Sequence, residues 1–173
     1  MTNLVNPLTE IFMLPLDDDK WKQLSTFFGE SENLPSVIRD WLKSIGSDQE
    51  VIVYCRDLSE LFLHQATITN AAFAVVPWLV HVCKEGGTKF QVEYLTDVAL
   101  VEANRLKYGV YFNREGTQEY PEWLMLNYQQ AIMAARNLVD EIIEAEHNED
   151  RKRGLVAMKP ALFGDADLAW SQW

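Results

Sequence analysis

The histidines and cysteines of this chain are few enough to weigh one by one. Cys55, His64, His81 and Cys83 fall in one stretch and are the side-chain types that hold zinc. Their spacing is wrong for that role. Cys55 and His64 are nine residues apart, about 180° round a helix, and His81 and Cys83 are about 200° apart. Neither pair converges on one ion, and neither matches the C-x₂₋₄-C or H-x₃₋₅-H spacings of zinc sites. No metal or other cofactor is expected, and both cysteines read as small buried hydrophobes.

His64 has Glu60 one helical turn before it and Asp57 two turns before. One reading is a solvated acidic face ending in a histidine that suits the negative end of the helix. The other is a general base oriented by a carboxylate. No nucleophile or substrate-shaped signature accompanies it, so no catalytic residue is assigned. Glu102 and Arg105, at i and i+3, fall within or beside the apolar side of their helix. They read as a buried ion pair or as the lining of a groove that binds a ligand or peptide. The candidate binding site therefore joins Glu102 and Arg105 to His64 and Gln65, with Trp123 as an aromatic on an exposed face. Glu144-Ala-Glu-His147 is the single Glu-x-x-His match, where a di-iron bundle needs two such motifs plus two further glutamates. It reads as a solvated helix end. Phosphate-binding glycine loops, H-E-x-x-H and G-x-S-x-G are absent from the sequence.

The elements that must position these residues are helical. LPLDDDKWKQLSTFFGE predicts a first helix capped by Asp17, and NLPSVIRDWLKSIG a second, with Pro35 near its start and Gly46 past its end. A third is expected over 48–63, a fourth over 70–84 ending at Gly86-Gly87, and a fifth from Thr88 to Lys107. The fourth is apolar nearly all round, which places it in the interior. Asn70, His81, Lys84 and Pro77 form its narrow outer sector, and Gln65, Thr67, Thr69 and Asn70 are expected to shape the preceding turn and cap the helix. An irregular link follows, with some extended structure at Val110 to Phe112. The sixth helix, 121–145, has the clearest stripe: Leu124, Tyr128, Ala131, Ile132, Ala135, Leu138, Val139 and Ile142. One or two short helices close the chain, and the tail bearing Trp170 and Trp173 is expected to dock, on its own chain or on a partner.

L-x-H-Q-A-T followed by N-A-A-F-A-V-V-P-W-L-V resembles the HQGT and P-x-L segment of bacterial HEAT-like helical repeat proteins. The resemblance is strongest over 58–82 and looser over 154–168, and Ala66 stands where glycine is expected. It implies an all-α fold, an α-α superhelix of about three antiparallel helix pairs, and no particular reaction.

With 173 residues the chain fits one domain. Its net charge of −11, from 26 acidic and 15 basic side chains, disfavours nucleic acid. No apolar run is long enough to span a membrane, and the N-terminus lacks the pattern of a signal peptide, so a cytoplasmic location is expected. Stacked helix pairs usually bind other macromolecules. The first expectation is a non-catalytic protein-interaction module, one version being an immunity-type protein that covers a basic partner. The alternative is a small-molecule-binding protein or hydrolase using a groove near His64 and Glu102. Self-association through the tryptophan-bearing tail is a third reading.

Overall fold

A computed structural model describes residues 11–64, 67–109 and 121–173. Among these the chain is mostly helical. Helices α1 (Leu34–Ser44) and α2 (50–62) are followed by α3 (Ala71–Glu85), α4 (Gln91–Tyr108), α5 (Glu122–Ala145), α6 (Glu149–Leu162) and α7 (Ala166–Gln172). Two antiparallel hairpins with two residues per strand interrupt them, β1 (Ser25–Thr26) with β2 (Gly29–Glu30), and β3 (Leu63–His64) with β4 (Thr67–Ile68). None of the described helices is long and apolar enough to cross a membrane.

The expected first helix does not form. Asp18, not Asp17, caps a single 3-10 turn over Asp19–Gln23, accepting from the Lys20 amide. The chain then turns into the β1–β2 hairpin. Trp21 and Leu24 reach the core regardless, and the Trp21 indole donates to the Pro15 carbonyl at 2.8 Å.

Helix α1 matches its sequence, with Pro35 in the first turn and Gly46 at φ +79° just past the end. Helix α2 starts as an α-turn over Glu50–Ile52, widens to a π-helix over Val53–Ser59, and closes as an α-turn over Glu60–Phe62. The π-winding re-phases its side chains relative to a 3.6-residue turn. Tyr54 and Leu58 are buried, while Cys55 is exposed, contrary to its reading as a core residue.

In α3 every residue from Ala71 to Pro77 is buried. Pro77 was expected on the outer edge and instead lies inside the packing. Asn70 precedes α3 without capping it; its Oδ1 accepts from the Ser25 amide at 2.7 Å and so ties the first hairpin to the core. The fifth expected helix begins later than predicted, because the Thr88 hydroxyl accepts from the Phe90 amide and holds a turn before α4. The extended structure expected at 110–112 lies outside the described residues.

Packing follows a regular scheme. Helix α3 lies along α5 and α4 along α6, and these are the most extensive helix contacts. Phe73 meets Tyr128 edge-on near the start of α3 and α5, while Lys84 lines one hollow with Ala134 and Asn137 farther along both, so the two run parallel. Glu93 pairs with Arg151 and Thr96 lies beside Gly154, so α4 and α6 also run parallel. Helix α2 reaches α4 in the same sense, Glu50 to Tyr94 and Tyr54 to Asp97. The tail docks on its own chain. Helix α7 packs on α4 and α6, Ala169 is fully buried, and the Trp173 ring covers Gly154.

Candidate functional site

Helix α4 carries two sets of buried polar groups. The first faces α5. Glu102 is only 3% exposed, a position that costs several kcal/mol for a lone carboxylate. Here its charge is matched. Arg105 approaches side on, with Nε 2.6 Å from Oε2 and Nη2 2.8 Å from Oε1, and the Tyr128 hydroxyl donates to Oε2 at 2.7 Å. The forked geometry fits guanidinium to carboxylate with two parallel bonds. The bond to Glu102 raises the Arg105 pKa above its ordinary range. Burial raises that of the Tyr128 phenol, and the Glu102 charge adds to it.

This triad forms the floor of a groove of about 290 Å³ between α4 and α5, lined also by Gln129, Ile132, Met133 and Arg136. The α5 lining residues recur at helical spacing, which the sequence stripe could show only in part. Arg136 was missed by sequence reasoning, since it falls on the flank of a regular amphipathic helix. Its Nε donates to the Leu162 carbonyl, satisfying the last turn of α6, and its guanidinium lies 5.9 Å from the exposed Phe163 ring. Lengthwise along α5, Leu126 and Met133 stand two turns apart on one side, 54% and 41% exposed.

The composite site expected from sequence is brought together only in part. Glu102 and Arg105 meet and line the groove. His64 sits on β3, not on a helix; its Nδ1 is 2.6 Å from Glu60 Oε2 and its ring packs at 5.7 Å from Phe27. The β3–β4 hairpin touches α4, yet His64 is not among the groove-lining side chains. Trp123 is half-buried beneath the Lys20 ammonium, 5.1 Å from the ring, rather than standing free on an exposed face. Gln65 lies outside the described residues. Glu144 and His147 are exposed at the end of α5, and no cluster of metal-ligating side chains occurs among the described residues.

The second set faces α1 and α2, and nothing in the sequence drew attention to it. Glu50 is fully buried. Three neutral donors surround its carboxylate: the Gly46 amide at 2.6 Å, the Tyr94 hydroxyl at 2.7 Å and the Thr88 hydroxyl. The Trp41 indole donates in turn to the Tyr94 oxygen at 3.0 Å. Next to this network the Tyr54 hydroxyl meets Asp97 Oδ2 at 2.6 Å. Burial pushes the Asp97 carboxyl up to about 6, with the Tyr54 bond opposing and the Glu93 charge adding. Cys83 is buried close by, and its thiol is raised by burial far above the range where a thiolate forms. These groups hold two glycine turns and three helices together.

Neither family models, curated proteins nor solved structures give a significant match to the chain.

Proposed function

We propose that this protein is a non-catalytic protein-interaction module, built as an α-α superhelix of the HEAT-like kind from three helix pairs. The parallel runs of α2 with α4 with α6, and of α3 with α5, support the architecture, because stacked helical hairpins place every second helix side by side. One observation carries the functional reading. The groove's buried carboxylate is held by Arg105 and Tyr128, while Met133 stands exposed in its lining and Leu126 stands exposed two turns before it on α5. Apolar side chains around a neutralised polar floor suit a macromolecular contact. The net charge of −11 supports steering of a basic protein toward the molecule, as an immunity-type role requires.

The test is affinity capture from native lysate with the eluate divided for protein and small-molecule mass spectrometry. A stoichiometric protein partner, retained by the wild type and lost on Leu126→Lys with Met133→Lys, is the expected result. A co-purifying metabolite lost on Glu102→Ala or His64→Ala would overturn it in favour of a small-molecule or hydrolase pocket.

A further inference from the structure

The groove between α4 and α5 has a charge opposite to that of the chain around it. Its lining holds one carboxylate, Glu102, and two guanidiniums, Arg105 and Arg136. Glu102 is consumed by Arg105. Arg136 has no acidic partner among the described residues; its Nε bonds a backbone carbonyl, leaving the terminal N–H groups without one. The bonds of Arg105 to Glu102 run through Nε and Nη2. In a protein of net charge −11, a groove with one uncompensated positive charge is a local exception.

Both guanidiniums are also held in place before anything binds. Each lies 5.9 Å from an aromatic ring, Arg105 over Tyr128 and Arg136 over Phe163, and each is fixed by a bond through Nε. Less side-chain freedom is then lost on pairing with an anion. Apolar side chains stand beside them, Ile132 buried and Met133 41% exposed in the lining, and Phe163 54% exposed next to Arg136. A carboxylate aimed at the two arginines would thus bring its neighbouring atoms against hydrocarbon.

We propose that the α4–α5 groove docks a partner segment presenting a carboxylate next to an apolar side chain. This rests on the interaction reading above but is narrower. The acidic exterior sets long-range attraction, whereas the groove sets which short sequence is gripped, and at contact distance local pairing decides.

The experiment uses a phage-displayed library of random linear peptides panned against the full-length protein, followed by fluorescence polarisation with the enriched peptides as synthetic probes. Expected is enrichment of Asp or Glu beside Leu, Ile, Met or Phe. Binding should weaken about tenfold or more on Arg136→Gln, the loss of one charge-assisted contact. Gln129 is exposed and lines the groove. Gln129→Glu places a competing carboxylate against the arginines and should abolish binding without threatening the fold. Enrichment of basic peptides insensitive to Gln129→Glu would overturn the proposal while leaving the interaction reading standing. No enrichment over background overturns it too, and the lysate capture then decides the broader reading separately.

Discussion

The Tyr54 hydroxyl lies 2.6 Å from Oδ2 of Asp97, bridging the π-helical part of α2 to α4. Asp97 is raised from its ordinary 3.8 to about 6, chiefly by burial. A carboxyl that binds its proton more tightly when folded contributes stability that is complete below 3.8 and disappears as pH rises through about 6. Between those values, this group makes the protein less stable with rising pH, by at most about 3 kcal/mol for a displacement of that size. Urea midpoints measured from pH 4 to 7 should show the slope. Asp97→Asn should flatten it and be the more stable form at neutral pH; an unchanged slope would show that Asp97 titrates normally.

Around Glu102 the prediction concerns non-additivity. Arg105→Met leaves a buried carboxylate without its cation and should cost about 3 kcal/mol or more. Tyr128→Phe removes one bond to a charged acceptor, about 1.5–3 kcal/mol. The double change Glu102→Leu with Arg105→Met should cost less than Arg105→Met alone, because no charge is then left unpaired. Denaturant melts of the three variants test this, and a double variant less stable than Arg105→Met would contradict the geometry.

Glu50 is a different case, a buried anion held by neutral donors. Glu50→Ala orphans the Gly46 amide and the Thr88 and Tyr94 hydroxyls together, and should lower stability by about 3–5 kcal/mol. Thr88→Ala removes one of the three and should cost about 1–2 kcal/mol. Equal effects from the two would mean that the network is not shared as described.

Two glycines should respond in opposite directions to alanine. Gly46 sits at φ +79° with a built Cβ 3.3 Å from the Gly87 carbonyl, so Gly46→Ala should destabilise by about 1–2 kcal/mol. Gly154 is helical, and a Cβ there meets the Trp173 ring at 3.4 Å, an ordinary contact. Gly154→Ala should stabilise by up to about 1 kcal/mol, from helix propensity alone. Thermal melts of the pair would show it.

The sequence by itself determined the helices whose signal is local. The stripe of α5, the Pro35 and Gly46 boundaries of α1, and the all-round apolar character of α3 each follow from residue type and spacing, because one face of a helix must leave water. The i, i+3 pairing of Glu102 with Arg105 was legible for the same reason. What only the tertiary structure decided depends on which segment lies against which. Asn70 has the chemistry of a cap but meets Ser25 instead, forty-five residues away. Cys55 is exposed on the π-helical part of α2, whose neighbouring Tyr54 meets Asp97. Glu50 looked like any surface acid until the turn at Gly46 and the loop at Thr88 closed over it, and Arg136 became part of a groove only when α5 settled beside α4. A side chain's type sets what it can bond. Its burial and its partner are set by contacts between segments distant in sequence, which local periodicity does not encode.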